Sequence, residues 1–491
     1  MLRRALVSLI AAGALGPAWT WQAAAPAPGQ PKSLKGVVLK KKAPVSREML
    51  RVKMPRPAER KLKNGLTLLI LENHRLPVVS IDLVLSATTL SDPPGVTGVA
   101  EATAALLKAG ADQRDARQIA ERLSELGADL NVVASYGARS THIYASTLTE
   151  NLDALLEIFG DVLLRPAFPQ DELDKWKQRR TGELQQQRAS EFFLGNERLL
   201  GVLYEGDARA IAAPTVESVE RITRDHLVEY RRNHYRPGNS LLGITGDTKP
   251  SEIAAKLEKL FAGWEKGSSA EPDLPLKPPI ETKGIHLVNR PNSVQTFLML
   301  GNRAIHRTHP DYIPCLVLNQ VLGDGPASRL FRNIREEKGY TYMIYSSFTA
   351  LRYRNHFGAV TTVRSEVTKD AVDELLREFK EVRDRPAPEE EMDNARRAIV
   401  ARFALELENQ NNVLRQILLL REYGLPEDYF DVFPSKVMAV TAEQVQQMAR
   451  KYIPVDNVQL IAVGESGKIR EILARYGQVV EYSTDGKRVT P

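Results

Sequence analysis

The sequence predicts an α+β chain of two homologous tandem domains, each a sheet with helices packed on one face. Two observations carry that expectation. Strand-like and helical segments recur in similar order in both halves, and a stretch near the end of each half matches its counterpart without a gap. The matching stretches are Arg221–Asn239 and Ala439–Asn457, offset by 218 residues, with Thr223/Thr441, Arg232/Arg450 and Asn239/Asn457 identical. A repeat this long denotes duplicated domains and not a solenoid, whose period is roughly 20–50 residues.

Taken in order, Gly65–Ala87 holds two β-rich runs around a turn at Asn73–Leu76. Helical patterns follow at Gly98–Lys108, Asp115–Leu126, Leu152–Leu164 and Pro169–Arg188, with a strand-like stretch, Asp129–Thr147, between the second and third. Thr223–Asn233 is a further helix, and Asn239–Gly246 a short buried strand. The bridge over 266–284 is rich in Pro and Ser and has no apolar period, so it reads as an interdomain linker. In the second half, Pro326–Lys338 is a helix with Pro in its first turn, Leu330, Phe331 and Ile334 as its apolar stripe, and Gly339 as its stop. Tyr340–Ser346 then alternates as a strand. Thr441 and Gln444 form a capping box for the helix that leads to the strand Asn457–Gly464. The expected organisation is an export signal over 1–25, a flexible basic linker over 26–54, a first domain over 55–265, the bridge, a second domain over 285–475 and a tail over 476–491.

Composition narrows the function classes. The 491 residues are 43% hydrophobic and 26% charged, which is ordinary globular usage. The net charge of +6 is misleading, because residues 1–47 hold eight basic residues and no acid, leaving −2 for everything from Glu48 onward. A near-neutral body gives no footing for nucleic-acid binding. The single cysteine, Cys315, excludes an intramolecular disulfide and a cysteine-built zinc site, and its apolar surroundings suggest a buried, inert thiol. Met1–Arg4 is basic, Ala5–Gly16 is apolar but too short to span a bilayer, and small residues follow at Ala23–Ala25. That is the pattern of a cleavable signal without a lipoprotein cysteine, so a periplasmic or secreted protein is expected, with no transmembrane segment in the mature chain.

The duplication, the segment GVTGVAEATAALLKAG and the segment GPASRLFRNIREEKGYTYMIY together resemble the M16 (insulinase, or pitrilysin-type) metallopeptidase family over roughly residues 55–475. Members of that family place His-x-x-Glu-His on a helix of the first half. Histidines at i and i+4 share a helix face and reach one zinc, and the glutamate serves as general base. Here the three positions are Glu101, Ala104 and Ala105, and Glu183 stands where a distal glutamate ligand belongs. One carboxylate cannot hold zinc against water, and Glu183 reads as a solvated helix charge. Of the eight histidines the only close pair, His306 and His309, has no acidic partner in the expected turn. No metal is therefore expected on this chain.

A second family motif is intact. Arg335 and Tyr342, seven residues apart around a helix-to-strand turn, match a pair that the resemblance assigns to holding the substrate carbonyl and stabilising the tetrahedral intermediate. A guanidinium and a phenol O–H are suitable donors for developing oxyanion charge. The resemblance also assigns Asn131, Val132, Val133 and Ala134 to a strand whose edge accepts an extended peptide. A chain that keeps the pair and lacks the zinc motif is similar to one subunit of a two-chain M16 peptidase. The resemblance thus implies a partner subunit carrying zinc on His-x-x-Glu-His, with unstructured peptides as substrates. The other reading is a catalytically inactive scaffold or assembly protein of the same fold.

Overall fold

A computed structural model describes residues 50–489. The expected export signal and most of the expected basic linker lie outside the described residues. Within them, the last linker positions are not free: Met54 is buried in the core, and its backbone N–H donates to Asp431 Oδ1 at 2.8 Å.

Twelve strands make two six-stranded mixed sheets. The first contains β1 (Ala58–Lys61), β2 (Thr67–Glu72), β3 (Val78–Leu85), β4 (Asp129–Ala134), β5 (Thr141–Leu148) and β6 (Leu241–Gly246), in the order β1-β2-β6-β3-β5-β4. The second contains β7 (Gly284–Asn289), β8 (Gln295–Arg303), β9 (Ile344–Ala350), β10 (Asn355–Arg364), β11 (Gln459–Gly464) and β12 (Val479–Tyr482), in the order β9-β10-β8-β11-β7-β12. Five strands superpose in order and direction: β2 runs parallel to β6 as β7 does to β11, and the remaining pairs of the five are antiparallel. The sixth strands differ, since β1 opens the first domain and β12 comes from the segment expected as a tail. Burial follows position. Central β11 is buried throughout, whereas β5 alternates and edge strand β4 exposes Asp129, Asn131 and Val133.

Five helices position the candidate sites: α1 (Val99–Leu106), α2 (Gln170–Gln187), α3 (Glu191–Leu203), α4 (Tyr312–Leu322) and α5 (Gln410–Tyr423). The sequence reading left α3 unassigned, and it explains how the halves are joined. Leu194, Leu199, Leu200 and Leu203 of α3 form one cluster with Phe297, Met299, Ile461 and Val463 of the second sheet. Reciprocally, Leu414 and Leu418 of α5 share a cluster with Leu69, Leu71 and Val84 of the first sheet. Each half therefore lends one helix to the sheet of the other. Both contacts are close enough to need glycine. A Cβ on Gly195 would lie 2.2 Å from Phe297 Cε1, and one on Gly243 would lie 2.9 Å from the Cδ1 atoms of Leu414 and Leu418.

The turn bearing the arginine/tyrosine pair departs from expectation. In place of an α-helix over Pro326–Lys338, Phe331–Glu337 winds as a π-helix, in which the Lys338 N–H reaches back five residues to Asn333 O at 3.0 Å. In place of a strand over Tyr340–Ser346, β9 starts at Ile344. The reason is a side-chain anchor: the Thr341 hydroxyl donates to Thr362 O on β10 at 2.7 Å and accepts from the Met343 N–H at 3.0 Å, a turn that replaces ladder bonds with side-chain ones.

Candidate functional site

The stretch that the resemblance sets against the zinc motif lies on α1. Its helix starts at Gly98, whose φ of +109° suits glycine alone. Asp92 replaces a side-chain cap: its two oxygens accept the N–H groups of Gly98 and Ala100 at 2.7 and 2.8 Å. Burial is the main force on Asp92 and lifts its carboxyl to about 7, against the lowering effect of those two donors.

Glu101, Ala104 and Ala105 lie on this helix, at the positions that the resemblance assigns to ligand, base and ligand. Two methyl groups offer a metal nothing. The carboxylates that remain are held by a residue the sequence reading did not single out, Arg180 of α2. The Arg180 side chain is 8% exposed; its Nε lies 2.9 Å from Glu101 Oε1 and its Nη1 donates to Glu183 Oε2 at 3.3 Å. A guanidinium thus bridges the two acids that the resemblance places toward a metal. Tyr136 stands beside Glu101 outside hydrogen-bond geometry. Burial pushes Glu101 above the ordinary carboxylate range, with Arg180 pulling the other way. The donor set does not fit zinc. Among the described residues, no group of three His, Cys, Asp or Glu side chains converges on a common metal position. His306 and His309 belong to the same finding with one correction: His309 does have an acidic neighbour, Asp311 Oδ2 at 3.7 Å, already engaged by Lys451 and Tyr452 at 2.7 Å each.

The loop that carries Tyr136 is fastened from the other half. Arg354 donates to the carbonyls of Tyr136 and Arg209 at 2.9 Å each, and also to that of Ile211. The approach is so close that a Cβ on Gly137, at φ +79°, would fall 2.5 Å from the Arg354 side chain.

Arg335 lies on the π-helix, exposed, with its guanidinium 4.4 Å from the centroid of the Phe331 ring. The helix is anchored beneath by Asn333, which donates to Glu374 at 2.7 Å and to Glu378 at 3.0 Å. Tyr342 is 94% exposed, an extreme value for a tyrosine. Its neighbours are not loose: Thr341 is tied to Thr362 O, and Met343 O accepts from the Thr361 hydroxyl at 3.0 Å. The phenol is held out from an anchored backbone. Among the described residues no hydrogen bond joins Arg335 to Tyr342, so each presents its donors outward.

Asn131, Val132, Val133 and Ala134 lie on β4, which pairs with β5 and is the last strand of its sheet. Its outer edge is engaged at one carbonyl, Leu130 O, which accepts from Lys108 Nζ. Cys315 is fully buried, and burial pushes its thiol pKa up, as an inert core cysteine requires.

Family comparison assigns a class to this two-half α+β fold. Residues 68–203 match the insulinase (peptidase family M16) domain and residues 221–399 match the peptidase M16 inactive domain. The chain belongs to the M16 peptidase family. It is 26% identical to an uncharacterized zinc protease of Rickettsia bellii over 80% of this chain and 93% of that protein. It is 24% identical to the non-peptidase homolog YmxG of Helicobacter pylori, over 81% and 91% respectively. Its structure resembles that of a peptidase M16 inactive domain from Pseudomonas fluorescens, with a TM-score of 0.77 and 27% identity over 83% of this chain and 98% of the other.

Proposed function

We propose that this chain is the zinc-free subunit of a two-chain M16 peptidase. It binds unstructured peptide along the β4 edge at Asn131–Ala134 and lends Arg335 and Tyr342 to the active site of a partner that carries zinc on His-x-x-Glu-His. Export to the periplasm, or secretion, belongs to the same proposal. The observation that carries it is the exposure of Tyr342 on an anchored backbone, seven residues after an exposed Arg335. A fully solvated phenol held in place contributes little to this chain's own core, and it is well placed to donate to an oxyanion in a neighbouring chain. Ala104, Ala105 and the Arg180 bridge support the absence of metal chemistry on this chain itself.

The test is steady-state cleavage of a quenched peptide by the reconstituted pair, with melting temperature as control. Tyr342→Phe removes one hydroxyl and is expected to lower turnover by roughly 10²–10³-fold without changing stability. Arg335→Lys keeps the charge, loses the planar fork, and should also be impaired. The second reading, a catalytically inactive scaffold or assembly protein, is favoured by the Arg180 bridge and by the relative described as a non-peptidase homolog. It predicts that Tyr342→Phe leaves turnover unchanged, and that outcome would overturn the subunit reading.

A further inference from the structure

The second half contains a cavity of about 490 Å³ that shares no residue with the Glu101 remnant, the Arg335/Tyr342 pair or the β4 edge. It opens where the turn before α4, the loop after α5 and the end of the helix Tyr429–Met438 meet. Its size falls in the range of small-molecule sites, roughly 300–1,000 Å³. Its walls are apolar and aromatic, with Tyr312, Ile313, Leu425 and Tyr429 among them. Its charged lining is of one sign: Arg307 and Lys436 face it with no acidic residue in the lining.

Neither cation is neutralised. Arg307 makes one hydrogen bond, from Nη1 to Tyr312 Oη at 3.2 Å, and its Nε is enclosed with no acceptor. Lys436 is exposed and makes no ion pair or hydrogen bond among the described residues. The acid nearest in sequence, Asp311, is taken up by Lys451 and Tyr452. This is unusual for a chain whose surface arginines are mostly paired, since a part-buried guanidinium ordinarily finds a carboxylate or a carbonyl. An apolar chamber with two unneutralised cations is complementary to one kind of occupant.

We propose that this cavity binds a carboxylate carried on an apolar body, with Arg307 and Lys436 taking the carboxylate and Tyr312 and Tyr429 packing on the apolar part. Two sources share that chemistry, the free C-terminus of an apolar peptide and a fatty acid. Neither requires the partner subunit or the peptide edge of β4, so this site stands or falls apart from the peptidase proposal.

The experiment is calorimetric titration of the full chain with three probes: N-acetyl-Leu-Phe as the free acid, the same dipeptide as its C-terminal amide, and decanoate. The free acid is expected to bind at least about tenfold more tightly than the amide, because the amide removes the charge that Arg307 and Lys436 meet. Decanoate binding more tightly than the dipeptide acid would identify a fatty acid as the source, and the reverse order a peptide terminus. Arg307→Gln and Lys436→Met should each weaken the carboxylate probes by about tenfold. Lys436→Met is the cleaner variant, since Lys436 is exposed and unpaired and its loss should not move the melting temperature. Equal binding of acid and amide overturns the proposal. So does binding untouched by Lys436→Met, or failure of both carboxylates to bind at about 1 mM.

Discussion

At the residue scale, the informative side chain is Arg180. A metal would draw Glu101 and Glu183 together by its charge, and the guanidinium does so by ion pairs of 2.9 and 3.3 Å. The pair with Glu101 is largely buried, so removing the arginine leaves a carboxylate in a site that already disfavours its charge. Arg180→Met is expected to destabilise the chain by about 3 kcal/mol in urea titration. Adding Glu101→Gln should restore most of the loss, because the stranded charge is then gone; an unrestored double variant would show that Arg180 acts by packing alone. The same geometry bears on rebuilding the motif. The triple change Glu101→His, Ala104→Glu and Ala105→His is expected to take up stoichiometric zinc only when Arg180 is also replaced, a difference that elemental analysis of the two proteins reads directly.

At the element scale, the exchanged helices set the tightest packing. Gly195 of α3 lies against fully buried Phe297, so Gly195→Ala should cost roughly 1–3 kcal/mol by overpacking, visible as a lower urea midpoint at unchanged slope. Strand β5 adds a pH dependence where the halves meet. His142 Nδ1 lies 3.0 Å from Asp82 Oδ1, and Ser140 Oγ, 3.2 Å from His142 Nε2, donates to Glu422 Oε1 on α5 at 2.9 Å. Burial opposes charging of His142, as does Arg415, but the hydrogen bond to Asp82 and the charges of Asp82 and Glu422 prevail and raise its pKa. A raised histidine contributes its full stabilisation below the unfolded value of about 6.5 and loses it as pH climbs through the folded value. The melting-temperature gap between the natural protein and His142→Gln should therefore be widest near about pH 6 and narrow above it. A gap independent of pH would mean that folding leaves this histidine's pKa unshifted, and a gap that shrinks as pH falls below about 6.5 would mean that it is held neutral.

At the scale of the whole molecule, helix exchange makes the halves interdependent. Detached from its sheet, α3 would expose four leucines whose burial is worth roughly 2 kcal/mol each. Expressed separately, residues 50–265 and 266–489 are expected to aggregate or remain molten by near-ultraviolet circular dichroism, and to regain a cooperative transition when co-expressed. A half that melts cooperatively alone would show that the exchanged helix is dispensable. Among the described residues no helix is long and apolar enough to cross a membrane.

Much of this was legible in the chain because local physics decides it. Apolar periodicity places the helices at Leu152–Leu164 and Arg224–His234 and the central strands, and Thr223 and Thr441 cap their helices through side chains that need no tertiary partner. That residues 104 and 105 are both alanine, with no side-chain donor for a metal, is likewise readable without coordinates. What periodicity does not carry is which surface a helix buries. The leucines of α3 mark an apolar face, yet nothing local says that the face belongs to a sheet built more than eighty residues later. Nor does spacing reveal that Arg180 turns inward to Glu101, because an arginine on a polar helix looks the same whether solvated or paired. The π-turn at Phe331–Glu337 and the anchored, outward Tyr342 depend on Thr341 and Asn333 finding partners on β10 and the helix Thr368–Asp384. Sequence by itself determined most of the elements, their duplication and the lack of side-chain donors at Ala104 and Ala105, since those follow from residue type and short-range order. Tertiary structure alone decided the helix exchange, the guanidinium between the two carboxylates and the exposure of Tyr342, since those rest on contacts between residues distant in the chain.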